Sequence, residues 1–180
     1  MADAGEVLVL GECLQGQPTP ITGEIIAAGR QLADALGIEV ACGLIGDGLD
    51  SAARTAVTLG ADRAYIVNDS LLASFQTELY LEALTRLCRA VNPRVLLMAR
   101  TSIGRDIAPR LAARLGVPLA QDCLEVKIDA STKQLMATRP VYGGNAMATV
   151  LCSQSPQFAT VRPKVYNPLP AQDHRLPTTH

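Results

Sequence analysis

Aromatic residues and histidine are scarce in this sequence. Aromatic residues make up 3% of the 180 residues, tryptophan is absent, and the two histidines are His174 and His180. A core with so few rings must be built from Ala, Leu, Val and Ile, within a hydrophobic share of 48%. Both histidines fall in a proline-rich, polar terminal stretch, so we predict neither a Ser-His-Asp triad nor a histidine metal site.

Three further absences narrow the class of protein. The formal net charge is -1, whereas general nucleic-acid binding needs a basic face. No apolar run approaches the roughly 20 residues that span a bilayer. No basic segment followed by an apolar core marks a signal peptide at the N-terminus. We therefore expect a cytoplasmic protein of one well-packed domain that neither binds nucleic acid nor inserts into a membrane.

The cysteine pattern also lacks the features of a disulfide or zinc site. The five cysteines are odd in number and scattered, and none are spaced as C-x-x-C. This usage fits a reduced, cytosolic protein in which the thiols pack in the core. The residues concerned are Cys13, Cys42, Cys88, Cys123 and Cys152.

Short apolar runs alternate with amphipathic segments through the first two thirds of the chain. Asp50 is a suitable cap for the second helix, and Thr101 or Ser102 for the fourth. Such alternation with short connections predicts right-handed βαβ units on a parallel sheet. The predicted strands are 6–11, 39–45, 63–67 and 94–99, and the predicted helices are 19–37, 50–60, 74–91 and one that follows Thr101.

The last third has a different pattern, with β-type runs and no helix between them. We expect these strands, some of them antiparallel, to complete the α/β unit. The segment after residue 163 is rich in proline and polar residues, so we place the domain at 1–166 and a tail or linker at 167–180. The β-type runs are 118–127, 134–140, 146–152 and 157–161, with a polar turn at 129–133.

The stretch 138–150 has two interpretations. Adjacent Gly143 and Gly144 between strand-like runs are typical of a β-hairpin turn, with Arg139 at the surface. The same glycines allow close approach of another group, Arg139 offers five fixed donors to phosphate or carboxylate, and Tyr142 can stack and hydrogen-bond. A binding element is therefore the functional alternative.

A second candidate lies at the carboxyl end of the fourth predicted strand. Ser102 and Arg105 begin the next helix, whose free N–H groups suit an anion. The structural alternative is a capped helix with an Arg105–Asp106 pair in solvent. A third stretch, the G-x-x-G-x-G of residues 43–48, follows the second strand rather than the first, which favours a flexible turn over a phosphate loop.

Several of these motifs occur in the order seen in the alpha subunit of electron-transfer flavoprotein, which this chain resembles over about residues 6–166. The amino-terminal part of that subunit is a three-layer, Rossmann-like α/β domain related to the adenine-nucleotide alpha-hydrolase superfamily, with a parallel sheet flanked by helices. The matching stretches are 20–24, 101–114, 120–123, 139–150 and 159–163.

The resemblance implies an electron-carrier component rather than a self-sufficient enzyme. In the family, FAD is held mainly by a further carboxyl-terminal domain, whose motifs have no counterpart in these 180 residues. The beta subunit is the partner and carries AMP or, in bifurcating members, a second FAD; redox partners are dehydrogenases and quinone-reductase or ferredoxin-type acceptors. The residues that would contact a partner-held flavin or nucleotide are Arg139, Tyr142, Gly143, Gly144 and Asn145, with Ser102 and Arg105 nearby.

Two other functions compete with this one. A stand-alone nucleotide-binding or protein-interaction module without redox activity could use the same fold. A hydrolase or ligase of the alpha-hydrolase superfamily ranks last, because residues 11–16 after the first strand do not form the expected phosphate loop.

Overall fold

A computed structural model describes residues 5–170 and the backbone of 178–179; His174 and His180 lie outside the described residues. The helices are α1 (Pro20–Leu36), α2 (Ala52–Thr58), α3 (Thr77–Val91) and α4 (Ser102–Leu115). The strands are β1 (Val7–Leu10), β2 (Cys13–Leu14), β3 (Gln17–Pro18), β4 (Val40–Gly46), β5 (Arg63–Asn68), β6 (Val95–Ala99), β7 (Leu119–Cys123), β8 (Glu125–Ile128), β9 (Leu135–Val141), β10 (Ala146–Cys152), β11 (Gln157–Val161) and β12 (Thr178–Thr179).

The main sheet is parallel throughout and has the order β12-β5-β4-β1-β6-β11-β7. Every residue of β1, β4 and β6 is buried, which explains why these strands are continuous apolar runs rather than alternating ones. Helices cover both faces, so the predicted three-layer α/β fold is confirmed.

The two faces of the sheet form two separate cores. On one face, Val7 and Val9 of β1 share a cluster with Ile25 of α1 and Ala53 of α2. On the other face, Leu8 and Leu10 meet side chains of α3 and α4 such as Leu84 and Ile107. Alternate residues of one strand thus point into different layers, as the pleat requires.

The C-terminal ends of three helices follow the expected backbone chemistry, whereas the predicted N-cap of α2 does not. Gly37 and Gly116 end α1 and α4 in the left-handed conformation, and Asn92 does the same for α3. The predicted cap Asp50 is wrong: Ser51 takes the N-cap position of α2, and it does so without a side-chain hydrogen bond. A short helix with an Ala-rich buried face depends on packing rather than on its cap.

The last third adds strands in two different ways. β7 and β11 join the main sheet, whereas β8, β9 and β10 form a separate antiparallel sheet in the order β10-β9-β8. Its inner face, including Val126 and Leu135, joins the core beneath α1. The expectation of added strands, some antiparallel, is therefore confirmed.

The segment after β11 lies on the domain up to residue 170. The Tyr166 hydroxyl accepts from the Val126 backbone N–H at 2.9 Å, and the Lys164 N–H donates to Glu24 Oε2 at 2.6 Å. Further on, Thr178–Thr179 pairs with the start of β5. A domain boundary at residue 166 stays a prediction. Within the described residues, no helix is long and apolar enough to cross a membrane.

Candidate functional site

Three charged residues meet where strands β6, β7 and β11 end. Arg162 forms a bidentate pair with Asp122, with Nε 2.9 Å from Oδ1 and NH2 2.7 Å from Oδ2. Arg100 brings its Nε to 3.6 Å from the same Oδ1. Since β11 lies between β6 and β7 in the sheet, the residues that follow these strands are neighbours in space.

Backbone contacts hold this group in place. The Arg100 N–H donates to the Val161 carbonyl at 2.8 Å, and the Arg162 N–H donates to the Cys123 carbonyl at 2.9 Å. Asp122 has a φ of +63°, which is unusual for a residue other than glycine, and it lies at an irregularity in the β7–β11 pairing. The irregular strand end directs the chain so that both arginines reach one carboxylate.

Arg139 brings a third positive charge to this group. It lies on β9 opposite Ala148 and lines a cavity of about 340 Å³ with residues of β7 and β10. The pKa of Asp122 lies below its ordinary value, first because Arg162 hydrogen-bonds to it, and also because Arg100 and Arg139 add positive charge. We name Arg100, Arg139 and Arg162, with Asp122, the arginine cluster.

The arginine cluster has more positive charge than its own carboxylate can neutralise. Three guanidinium groups face one aspartate, and within residues 5–170 Arg139 forms no hydrogen bond or ion pair through its side chain. The buried Nε of Arg100 likewise has no hydrogen-bond partner there. Such a group can accept an anion through the donors that remain free.

The tip of the β9–β10 hairpin projects into solvent. Val141 pairs with Ala146 across it, so the hairpin interpretation of this stretch is confirmed. Tyr142 is 84% exposed, and a Cβ added to Gly143 or Gly144 would meet nothing within 4 Å. Glycine tolerates the positive φ values of the turn, which are +66° and +94°. Because these residues have no side chain, the tip stays open to another molecule. Asn145, the last residue of the tip, is exposed as well.

Ser102 and Arg105 are exposed at the start of α4. Thr101 is the cap, because its hydroxyl accepts from the Gly104 N–H at 3.1 Å. The structural alternative is thus confirmed in its capped helix but wrong in its Arg105–Asp106 pair, because Asp106 accepts from Arg110 at 3.2 Å and from the Thr77 hydroxyl at 2.6 Å. No hydrogen bond or ion pair in the described part of the chain joins Ser102 or Arg105 to the hairpin.

The glycines of the stretch 43–48 have two different roles, one in strand packing and the others at the turn. Gly43 lies within β4, where an added Cβ would come within 2.8 Å of a Leu87 methyl carbon. Gly46 and Gly48 line a cavity of about 270 Å³ together with Asp47, and the described lining includes neither lysine nor arginine. A carboxylate without a cation does not suit phosphate, so the turn interpretation is favoured.

Arg100, Asp122 and Arg162 were not predicted as site residues. A signal for two of them was available, because Arg100 and Arg162 each follow a predicted strand directly, where ligands bind in parallel sheets. Asp122 reaches Arg162 only because β11 lies between β6 and β7 in the sheet, and no local sequence pattern predicts that strand pairing.

These features define a three-layer α/β domain with a cationic cluster at the carboxyl edge of its sheet and a projecting hairpin beside it. The chain belongs to the electron transfer flavoprotein family, because the model for the electron transfer flavoprotein domain matches residues 7–178.

Curated relatives agree with this family. The chain is 38% identical to an electron transfer flavoprotein subunit alpha of Clostridium acetobutylicum over 173 residues, covering 96% of this chain and 52% of that protein. It is 40% identical over 168 residues to the protein FixB of Rhizobium meliloti, covering 91% and 47% respectively. The chain thus spans about half the length of the curated relatives it matches.

Proposed function

We propose that this chain is the alpha-type component of an electron transfer flavoprotein and that its arginine cluster faces a flavin or nucleotide held by a beta-type partner subunit. The observation that carries the proposal is the uncompensated charge of the cluster, in which Arg139 has no ion pair within residues 5–170. The family membership supplies the redox context, since relatives that cover 96% and 92% of this chain are named as alpha subunits.

The residues at this edge suit a flavin chemically. A guanidinium such as that of Arg139 stabilises an anionic reduced ring or a pyrophosphate, and exposed Tyr142 offers a face for stacking. FAD would supply the one- and two-electron chemistry when bound. Gly143, Gly144 and Asn145 would then approach it through the backbone and an amide, and Ser102 and Arg105 would complete the edge from the start of α4.

The partner would contact the hairpin. Strand β10 pairs with β9 on one side, and exposed apolar side chains accompany it: Tyr142 (84%), Met147 (53%), Leu151 (51%) and Val150 (40%). An apolar surface beside an open strand edge is typical of a protein interface. We propose a beta-type subunit as its occupant, carrying AMP or a second FAD.

The remaining expectations concern the wider electron path. We propose dehydrogenases as donors and a quinone-reductase or ferredoxin-type protein as acceptor, because the relatives are electron-transfer subunits. We also propose a cytoplasmic location, which is supported by five free cysteines, four of them buried and the fifth half-buried.

The test is co-expression with a beta-type subunit, followed by purification and measurement of flavin absorbance per complex. We expect the isolated chain to be colourless and the complex to retain flavin. The Arg139→Ala variant should lose flavin at least about tenfold more readily, since a charge-assisted contact contributes roughly 1.5–3 kcal/mol. Arg86→Ala is the matched control, because Arg86 is 80% exposed on α3 and pairs with Glu82.

The outcomes separate the competing functions. A complex that forms but never retains flavin would favour the interaction module without redox activity. Stoichiometric flavin in the isolated chain would contradict the need for a partner. Equal loss of flavin in Arg139→Ala and Arg86→Ala would mean that overall charge, rather than a contact of Arg139, retains the flavin. An unfolding midpoint lowered only in Arg139→Ala would assign Arg139 to fold stability instead.

A further inference from the structure

A cavity lies at the topological switch point of the main sheet. From the central strand β1 the chain runs outward through β4 and β5, then crosses back to β6 on the other side of β1. Open α/β sheets bind ligands in the crevice that such a reversal leaves at the carboxyl ends of the strands. The cavity here measures about 340 Å³ and is lined by the ends of β1, β4 and β6. We name it the switch-point cavity.

The walls of the switch-point cavity are aromatic and apolar. Phe75 and Tyr80 form an edge-to-face pair with ring centroids 5.1 Å apart. The Tyr80 hydroxyl donates to the Leu72 carbonyl at 3.0 Å, which fixes the ring in place. Met98 and Ile103 line the cavity as well. A site of this size with rigid aromatic walls suits a small planar molecule.

The charged groups at the cavity are acidic. Glu12 lines it, and the Thr101 hydroxyl donates to Glu12 Oε1 at 2.5 Å. Partial burial raises the pKa of Glu12, which the Thr101 hydrogen bond partly opposes. An adjoining cavity of about 270 Å³ shares Tyr80 and adds the Asp47 carboxylate. Among the described residues that line either cavity there is no lysine, arginine or histidine.

We propose that the switch-point cavity binds a small planar organic cation, of the class of aryl amidines and protonated ring amines. A cationic nitrogen would pair with the Glu12 carboxylate, which has lost part of its hydration, and the ring would lie against Phe75 and Tyr80. Charge-assisted hydrogen bonds and cation–π contacts both strengthen where water is partly excluded. Phosphate-bearing ligands are disfavoured, because two carboxylates would repel them.

This site is independent of the proposed flavin contact. Arg100 precedes Thr101 in the chain but lines neither cavity, and none of the arginine cluster does. Failure of the cation proposal would leave the flavin proposal unchanged, and the reverse also holds.

The test uses the 180-residue chain and three probes of nearly the same shape: benzamidine, benzamide and benzoate. Amide chemical shifts measured by nitrogen-15 NMR would locate and quantify binding at millimolar probe concentrations. We expect benzamidine to shift residues around Cys13, Tyr80 and Ile103 and to bind at least tenfold more tightly than benzoate at this site, with benzamide between them.

Two variants and a control assign the effect. Glu12→Gln should weaken benzamidine binding about tenfold and change benzamide binding less than threefold, because only the charged pair is lost. Phe75→Leu should weaken benzamidine about threefold by removing one ring. Glu125→Gln removes the same charge from an exposed position on β8 and should change binding less than twofold.

Several results would overturn the proposal. These are no shifts with benzamidine, shifts located away from the cavity, equal affinity for benzamidine and benzoate, or unchanged benzamidine affinity in Glu12→Gln. Unchanged affinity in Phe75→Leu would remove the aromatic part of the proposal.

Discussion

The arginine cluster and the switch-point cavity lie on the same edge of the same sheet, yet their charges are opposite. In the cluster, three guanidinium groups face one aspartate. In the switch-point cavity and the cavity that adjoins it, Glu12 and Asp47 respectively face no described cation. The neighbours Arg100 and Thr101 contribute to different regions, since Thr101 binds Glu12 while Arg100 points its Nε towards Asp122. The charge of this edge is therefore set by the residues after each strand, not by the fold.

The first turn of α4 connects the two regions, and the largest effect is expected there. A Cβ added to Gly104 would lie 1.8 Å from the Ala99 carbonyl oxygen, which is backbone and cannot turn aside. Gly104→Ala should therefore displace the helix start from the end of β6 and cost about 3 kcal/mol or more of unfolding free energy. Urea denaturation followed by circular dichroism would measure the loss.

The same substitution elsewhere provides the control. Gly23 lies within α1, and an added Cβ would stay 3.4 Å from Pro168. Gly23→Ala should be neutral or stabilising by up to about 1 kcal/mol, because alanine favours helix more than glycine does. Similar stability of the two variants would show that α4 can shift without cost and that the two regions are not coupled through it.

The sequence predicted the parts of this edge that depend on local chemistry. Apolar runs located β1, β4, β5 and β6, glycine and asparagine located helix ends, and the pattern at 138–150 predicted the hairpin. It did not predict that Asp122 meets Arg162, because that pair joins residues 40 positions apart through the insertion of β11. Contacts of this kind follow from long-range strand pairing, which leaves no periodic pattern. Whether Ser102, Arg105 and the hairpin tip contact a cofactor stays a prediction.

Asp122 is where the arginine cluster can be weakened most directly. Asp122→Asn leaves three guanidinium groups without a carboxylate and should cost about 1–2 kcal/mol at pH 7, because the pair is partly exposed. The folded-state pKa of Asp122 is lowered, so its contribution is present above the unfolded pKa of about 3.9 and is lost as pH falls through the lower, folded value. Urea denaturation at pH 7 and at pH 3 should show the difference between variant and parent shrinking.

Asp69→Asn is a control for the loss of one aspartate charge outside this edge. The Asp69 side chain accepts the Leu71 N–H at 2.9 Å and is exposed. Because asparagine can also accept that bond, we expect a change of less than about 0.5 kcal/mol. A loss in Asp69→Asn equal to that in Asp122→Asn would mean that net charge, rather than the arginine cluster, accounts for the effect.

Substitution of Glu12 should change stability in the opposite direction to substitution of Asp122, and by the smallest amount. Burial raises its folded-state pKa, so the ionised carboxylate lowers stability at pH 7, and this cost disappears as pH falls through the folded pKa towards the unfolded one. Glu12→Gln keeps an acceptor for the Thr101 hydroxyl and should stabilise the chain by up to about 1 kcal/mol at pH 7. Thermal unfolding at pH 7 and pH 4 should show a higher midpoint for the variant at pH 7 alone. A lower midpoint at pH 7 would mean that an unrecognised cation compensates Glu12, and the charge contrast between the two regions would then be lost.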